Sequence, residues 1–390
     1  MSSSAPRAME FLHRTRLVVG SGVWLRAIVE ARAFGDQVLL VTGVSSLARL
    51  GLQPLLEAEA ARVGLGLRRF VVPREPDVEL ADQAAALARS SGVSAVLGIG
   101  GGSTLDVAKA AAALATNPGS ARDYLEGLPG PGPKALSAPP LPVVCVPTTA
   151  GTGSEVTKNA VLQVADLQVK RSMRSELLFP QSAFIDPALS GQAPLAVRAG
   201  TGFDALTHLV EAFCSSNASP LTDALAKDGI LRAIRGLQSL AQGSASEADA
   251  HDLALASTLG GICLANAGLG AAHGLIAPLG GLYPQIPHGA GLACLLPATL
   301  AINAAVAQSF PIPSARLREL WQLLAADTAS DAVRQLTSLR LALGLPALGS
   351  YASIDVGRVI QSPSGSLKTN PVALGETELR ALLELALSAS

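Results

Sequence analysis

Apolar and polar positions alternate in two different ways along this chain, and the change falls near Asp186. Before Asp186, short apolar, β-branched runs are separated by longer segments with helical spacing of apolar residues. Such runs predict parallel strands that are buried between helices. The predicted strands are 17–19, 38–42, 69–72, 95–99 and 143–146, and the predicted helices include 47–63 and 80–91.

After Asp186 the β-branched runs disappear, and helical periodicity rich in alanine and leucine continues to the end of the chain. The segment DPALSGQAP, which begins at Asp186, has the composition of a turn between two domains. We therefore predict an α/β domain with a parallel sheet over residues 1–190, followed by an all-helical domain over residues 191–390.

Charged residues are scarce, and their absence is concentrated in one stretch. They make up 15% of the 390 residues, against about 25% in typical soluble domains, and none occurs from Leu253 to Ala315. A stretch of this length is a candidate membrane span, but glycines and prolines interrupt it, and it contains His273 and His288. We therefore expect buried helices here and no membrane association.

Net charge and cysteine spacing narrow the class of protein further. A formal net charge of -1 excludes the basic surface that nucleic-acid-binding proteins carry. The four cysteines show no CxxC spacing, and residues 1–16 lack the apolar core of a signal peptide. We expect a cytoplasmic protein with reduced, buried thiols.

A run of three glycines, Gly100 to Gly102, follows the predicted strand 95–99 and precedes a helix predicted to begin near Leu105. Residues without a Cβ allow a ligand to approach the backbone, and the N–H groups of a helix N-terminus attract a pyrophosphate. An unoccupied tight turn is the alternative interpretation. Ser103 and Thr104 follow the glycines directly, and Asp106 and Lys109 lie in the first turns of the predicted helix.

A second loop, PTTAGTGSEVT, begins at Pro147 directly after the predicted strand 143–146. Its hydroxyl groups and glycines lie at the carboxyl end of a strand, where open α/β sheets bind their ligands. We therefore expect this loop and the glycine run to line the same crevice.

Asp204 and His208 are four residues apart in TGFDALTHLVEAF and therefore share one face of a helix. His273 and His288 come from the charge-free stretch. Taken singly, each histidine could instead be a hydrogen-bonded residue of the core or a helix cap. Taken together, one carboxylate and three imidazoles suit Fe(II) or Zn(II). His13 and His251 have no such neighbours.

Four segments in this order, GGGSTLDVAK, PTTAGTGSEVT, GFDALTHLVEAF and HGLIAPLGGLYPQIPHG, resemble the iron-containing (group III) alcohol dehydrogenase family. The resemblance covers nearly the whole chain. It implies an N-terminal domain that binds NAD(P), a helical C-terminal domain that binds a metal, and a homodimer or a higher homo-oligomer.

The resemblance also implies the residues of the site. The metal ligands would be Asp204, His208, His273 and His288. The cofactor contacts would be Gly100, Gly101, Gly102, Ser103, Asp106, Thr148, Thr149, Thr152, Asn159, Lys170 and Leu189.

Three departures from the family pattern affect what we expect. Many NAD-preferring members carry an acidic residue where this chain has Gly43, followed by Ser45 and Ser46, so we expect NADP(H) to be favoured over NAD(H). Glu75 replaces an asparagine found in many members. Ala277 stands where many members carry a further histidine, which the resemblance implies to contact the substrate or to help relay a proton. The loop before His288 is one residue longer than usual.

The sequence therefore predicts a metal-dependent alcohol dehydrogenase or aldehyde reductase that transfers hydride between NAD(P)(H) and a small alcohol or aldehyde. The metal would be Fe(II), with Zn(II) as the alternative. Three other functions remain open: a maleylacetate reductase-like enzyme, a zinc polyol dehydrogenase and a catalytically silent nucleotide-binding relative. Phe203, Phe213 and Tyr283 are candidate lining residues of the substrate pocket.

Overall fold

A computed structural model describes residues 8–361 and 363–388 of the chain. Eight strands lie before residue 186: β1 (Arg16–Val19), β2 (Gln37–Gly43), β3 (Gly66–Val72), β4 (Ala95–Gly100), β5 (Val143–Pro147), β6 (Asn159–Val164), β7 (Val169–Arg174) and β8 (Ser182–Ile185). Six of them form one fully parallel sheet in the order β1-β8-β5-β4-β2-β3. β6 and β7 pair with each other as an antiparallel hairpin.

Five helices alternate with the strands: α1 (Arg26–Arg32), α2 (Ser46–Arg49), α3 (Gln53–Val63), α4 (Val78–Ser90) and α5 (Gly102–Thr116). The two faces of the sheet carry separate apolar clusters, so the central strands are buried on both sides. This arrangement confirms the predicted α/β domain with a parallel sheet.

Within the described residues, ten further α-helices follow the last strand: α6 (Pro187–Gly191), α7 (Leu195–Cys214), α8 (Pro220–Ala241), α9 (Glu247–Ala267), α10 (Ala271–Leu282), α11 (His288–Ala307), α12 (Pro311–Leu323), α13 (Ala329–Ala342), α14 (Val356–Ile360) and α15 (Glu376–Ser388). No strand occurs in the described residues of this part, as predicted. The division of the chain at residues 190 and 191 stays a prediction, because α6 spans it and its Leu189 packs into the cluster under the sheet.

Three local predictions were wrong. The helix predicted over 47–63 is two helices, because Gly51 adopts the left-handed conformation with φ of 63° between them. The helix after the glycine run begins at Gly102 and not near Leu105. β8 and the β6–β7 hairpin were missed. β8 is a strand of only four residues that begins with Ser182, and the hairpin strands mix polar with apolar positions.

The charge-free stretch forms most of α9, all of α10 and α11, and the first residues of α12. Among the described residues, α11 is long and apolar enough to cross a membrane. α9 and α10 are long and apolar enough only when taken together, and they are bent by 101° relative to each other. However, 72% of the apolar window of α11 is buried inside the protein. All four cysteines are free and buried, as predicted.

Candidate active site

A cleft of about 1340 Å³ lies between the sheet and the helices of the second half. Gly102, Ser103 and Thr152 line it from the side of the sheet. Asp204, His273 and His288 line it from the side of the helices. The cleft therefore brings the glycine run, the threonine-rich loop and the predicted metal ligands into one space.

The glycine run and the threonine-rich loop are joined where β4 and β5 end. Gly100 and Pro147 are paired in the sheet, and the N–H of Thr148 donates a hydrogen bond to the carbonyl oxygen of Gly100 at 2.9 Å. At Gly102 a Cβ would come within 2.6 Å of the methyl group of Thr152, so only glycine allows this close approach. The expected common crevice at the carboxyl ends of these strands is present.

Asp106 and Lys109 hold the threonine-rich loop against α5. Ser154 Oγ donates to one carboxylate oxygen of Asp106 at 2.5 Å, and the N–H of Val161 donates to the other at 3.1 Å. Lys109 has no exposed surface, and its Nζ donates to the carbonyl oxygens of Ser154 and Asn159. Thus the two residues fix the shape of the cleft wall from behind.

Asp204 and His208 lie on one buried face of α7, as their spacing predicts. Oδ1 of Asp204 lies 3.4 Å from Nε2 of His273 and 3.8 Å from Nε2 of His288. Potential ligand atoms of these three residues all lie within 4.8 Å of one another, which is compact enough for one metal ion.

His208 lies beside this group but is not part of it. Its Nδ1 is 3.5 Å from Oδ1 of Asp204 and 3.3 Å from the carbonyl oxygen of Gly151. Its ring stacks on that of His273, with ring centroids 4.3 Å apart. The structure brings together three of the four predicted ligands, and the role of His208 as a ligand stays a prediction.

Two buried polar atoms of the group have no hydrogen-bond partner among the described residues: Oδ1 of Asp204 and Nε2 of His273. Nδ1 of His273 faces the carboxylate of Glu211 at 2.6 Å. Because an ionised carboxylate only accepts hydrogen bonds, Nδ1 carries the hydrogen and Nε2 can present a lone pair. Two acceptors that face each other across 3.4 Å fit a shared cation, so the donor set suits the metal of this family.

The pKa values of these groups indicate which of them are neutral before a metal binds. Burial lowers the pKa of His208 to about 3 and that of His288 to about 4, although Asp204 opposes both shifts. Burial would also lower the pKa of His273, but Glu211 and Asp204 outweigh it and raise this pKa to about 9. The imidazoles hold the pKa of Asp204 below its usual range in spite of its burial. At neutral pH and without a metal, the group therefore holds one carboxylate, two neutral imidazoles and a protonated His273. A metal ion that binds Nε2 of His273 would have to displace the proton there.

The predicted cofactor contacts fall into two groups. Those that line the cleft are Gly102, Ser103, Asp106, Thr152, Asn159 and Lys170. Those outside its described lining are Gly43, Ser45, Ser46, Gly100, Gly101, Thr148, Thr149 and Leu189. Most of the second group lie at the same edge of the sheet, since Thr42 pairs with Ile99 immediately before Gly43 and Gly100. Leu189 instead packs into the apolar cluster under the sheet.

The prediction that Phe203, Phe213 and Tyr283 line the substrate pocket was wrong. None of them lines the cleft. Phe203 and Phe213 have no exposed surface because α7 turns them into the helical core, and Tyr283 packs against the cluster of α10 and α11. Ala277 does line the cleft, so it presents a methyl group where the family pattern has a histidine.

Two acidic residues of the cleft and its surroundings were not predicted as residues of the site. Glu211 is buried and contacts His273, and its position seven residues after Asp204 on the same helix was the available signal. Glu75 was noted only as a departure from the family pattern. Its carboxylate lies 2.8 Å from Nζ of Lys170, and both residues line the cleft.

Comparison with known proteins identifies similar sequences along nearly the whole chain. A model of iron-containing alcohol dehydrogenases matches residues 14–187, and a model of the C-terminal part of the Fe-containing alcohol dehydrogenase family matches residues 198–350. Long-chain-alcohol dehydrogenase 1 of Geobacillus thermodenitrificans (strain NG80-2) is 38% identical over 72% of this chain and 69% of its own. 1,3-Propanediol dehydrogenase of Klebsiella pneumoniae is 37% identical over 80% of both chains.

Solved structures show the same fold. A 1,3-propanediol oxidoreductase superposes with a TM-score of 0.84 at 30% identity, covering 97% of this chain and 100% of its own. An iron-containing alcohol dehydrogenase of Thermococcus thioreducens superposes with a TM-score of 0.84 at 26% identity, covering 97% of this chain and 99% of its own.

Proposed function

This chain belongs to the iron-containing alcohol dehydrogenase family, and from that premise we propose the residues, the cofactor preference and the assembly with which it works. Its activity is that of the family: metal-dependent oxidation of alcohols and reduction of aldehydes with a nicotinamide cofactor. One observation carries the site proposal: Oδ1 of Asp204 and Nε2 of His273 face each other, buried and without hydrogen-bond partners, in the wall of a large cleft.

The metal ligands in this proposal are Asp204, His273 and His288, with His208 as the fourth. The ion would be Fe(II) in the first place and Zn(II) as the alternative. When bound, it would supply Lewis acidity at this site, and a bound nicotinamide would supply the hydride chemistry. Asp204 contributes the negative charge of the site. When they bind the ion, the imidazoles would contribute lone pairs without adding charge.

The rest of the cleft binds the cofactor and limits the access of water. The backbone around Gly102 and Ser103 at the start of α5 faces the pyrophosphate, where N–H groups and the helix dipole favour an anion. Leu264, Ile276 and Ala277 provide apolar surface in the wall of the cleft. Ala277 brings no ionisable group, so the proton of the reaction passes through water, the cofactor ribose or a nearby hydroxyl group.

NADP(H) is the favoured nucleotide in this proposal. Gly43 lies at the end of β2, beside Ser46, and no carboxylate follows β2 to repel a 2′-phosphate. Hydroxyl and amide groups of Ser45 and Ser46 would be the donors to that phosphate. The comparison of kcat/KM for NADP and NAD tests this preference, and a strong preference for NAD contradicts it.

We assign the working enzyme to the cytoplasm, as a homodimer or a higher homo-oligomer. The burial of α11 and of the four thiols supports the first part, and the family supports the second. Light scattering of the purified protein measures the number of subunits, and a monomer at micromolar concentration would contradict the assembly.

The site proposal is tested by metal analysis of protein purified without chelator and by Asp204→Ala and His273→Ala. Wild-type protein is expected to contain Fe(II) or Zn(II) and to oxidise small primary alcohols. Both variants are expected to lose metal and turnover while they still bind NADPH. Activity on an acidic substrate in the absence of metal would instead favour a maleylacetate reductase-like enzyme. Tight NADPH binding with no activity after metal reconstitution would favour a silent relative.

A further inference from the structure

Glu211 is a buried glutamate on α7, with 4% of its surface exposed. Its Oε2 is 2.6 Å from Nδ1 of His273, which lies 62 residues later in the chain on α10. Nε2 of the same imidazole is directed toward Oδ1 of Asp204. Glu211 therefore holds one nitrogen of the ring, while the other nitrogen faces the metal site.

The same carboxylate also holds the backbone from which His273 projects. Oε1 of Glu211 accepts a hydrogen bond from the N–H of Ala272 at 2.7 Å, and Oε2 lies 3.4 Å from the N–H of His273. The N-cap position of α10 is Gly270, which has no side chain to bind these N–H groups. A carboxylate near the start of a helix is stabilised by the helix dipole and by the free N–H donors.

Glu211 has little freedom to move away from this position, because it packs directly against the backbone of Gly270. A Cβ on Gly270 would come within 2.9 Å of Oε1 of Glu211 and 2.8 Å of Oδ1 of Asn370. Asn370 caps the neighbouring N–H of Ala271 at 3.1 Å and is held in turn by Asn303. The start of α10 is thus enclosed by side chains from α7 and from the segment before α15.

We propose that Glu211 is a positioning residue that fixes His273 with its hydrogen on Nδ1 and its lone pair on Nε2, directed at the metal site. The inference rests on the proposed metal site and extends it to a residue that does not contact the ion. Hydrogen bonds of this kind orient metal-bound histidines and select their tautomer.

Glu211→Gln tests the proposal because the side chain keeps its size and shape, while one of its two accepting oxygens is replaced by an NH₂ group that donates. An amide has one accepting end and one donating end. If its oxygen faces Nδ1 of His273, its NH₂ group faces the N–H of Ala272, and in the reverse orientation the NH₂ group faces Nδ1 and favours the wrong tautomer. We expect the dissociation constant for Co(II) or Zn(II) to rise about 10-fold to 100-fold.

Glu155→Gln is the matched control, because Glu155 is another buried glutamate, with 2% exposure, whose carboxylate binds Thr258 and none of the candidate ligands. Its metal affinity is expected to equal that of the wild type. The visible spectrum of the Co(II) protein and the ring ¹⁵N shifts of the Zn(II) protein report the geometry and tautomer of the histidines. Both are expected to change in Glu211→Gln alone, at temperatures where the metal-free variant is fully folded.

Three outcomes are decisive. Metal affinity and spectra of Glu211→Gln equal to the wild type, while Asp204→Ala loses the metal, would overturn this inference and leave the proposed function intact. Retention of metal by Asp204→Ala would overturn the metal site itself. If Glu211→Gln does not fold, Glu211→Asp replaces it. This variant keeps the charge but is one methylene group shorter, and a metal affinity equal to the wild type would overturn the inference.

Discussion

Nζ of Lys109 donates a hydrogen bond to the carbonyl oxygen of Ser154 at 2.9 Å, although the two residues are 45 positions apart and the lysine has no exposed surface. The ammonium group also lies 3.3 Å from Oδ1 of Asp106. A fully buried charge is tolerated only when its partners replace water. Lys109 therefore connects α5 to the threonine-rich loop, and the shape of the cofactor side of the cleft depends on this connection.

Lys109→Met is expected to lower the free energy of unfolding by about 3 to 5 kcal/mol, because it leaves Asp106 and two carbonyl oxygens without their buried partner. Lys134→Met is the control. Lys134 also pairs with an aspartate, Asp123, but 60% of its side chain is exposed, so the change should stay within about 0.5 kcal/mol. Urea unfolding of both variants measures the difference, and equal losses would contradict the proposed role of Lys109.

The contact between Gly153 and Gly261 provides a second test of how the loop is held. Gly153 has φ of 60°, and a Cβ at this position would come within 2.5 Å of Cα of Gly261 on α9. Gly153→Ala therefore adds a backbone clash to the cost of the left-handed conformation. We expect a loss of about 3 kcal/mol.

Gly64→Ala separates these two costs. Gly64 has a similar φ of 66°, but a Cβ there would have no atom within 4 Å. We expect only the conformational cost of about 1 to 2 kcal/mol. Thermal or urea unfolding compares the two variants, and an equal effect in both would show that the contact with α9 is not tight.

The spacing of apolar residues predicted the helices and strands whose pattern is contained in their own sequence. It failed for elements and contacts that depend on residues distant in the chain. β4 and β5 are buried throughout and read as apolar runs, and α7 places Asp204 and His208 on one face by its own geometry. By contrast, β8 has only four residues, and its partners in the sheet are β1 and β5, which lie far from it in the chain.

The role of Glu211 could not be predicted for the same reason. Its partner, His273, is 62 residues away, and only the packing of α10 against the region around α7 brings the two together. The aromatic residues near the ligands were misassigned because the orientation of a helix face toward the core or toward a cleft depends on this packing. Phe203 is adjacent to Asp204 in sequence, yet it points into the core.

The proposed preference for NADP(H) predicts the effect of Gly43→Asp. A Cβ at Gly43 would have Ser46 Oγ and Thr104 Oγ1 at 3.5 Å, which is ordinary contact, so the variant should fold normally. The new carboxylate would repel a 2′-phosphate and accept a hydrogen bond from a ribose 2′-OH. We expect kcat/KM for NADP to fall at least about 10-fold relative to that for NAD, a difference of about 1.4 kcal/mol. Gly43→Asn, which has the same size without the charge, should change the ratio much less, and an equal change in both variants would contradict the charge argument.

The buried carboxyl group of Glu155 should make the free energy of unfolding depend on pH. Burial raises the pKa of this carboxyl group, although its own backbone N–H, Thr258 and Lys109 oppose the shift. A pKa that is higher in the folded than in the unfolded state gives a contribution to stability that is complete at low pH. This contribution is lost as the pH rises from the unfolded pKa of 4.5 through the raised one.

Glu155→Gln removes this titration and keeps a polar side chain of the same size. Each pH unit over which only the unfolded chain ionises costs the wild type about 1.4 kcal/mol. The variant should therefore gain stability relative to the wild type as the pH rises above about 4.5, and the difference should be smallest below that pH. Urea unfolding at each pH, with metal removed from both proteins, measures this difference. A difference that stays constant with pH would show that Glu155 ionises in the folded protein as easily as in water, and that Lys109 and Thr258 compensate fully for its burial.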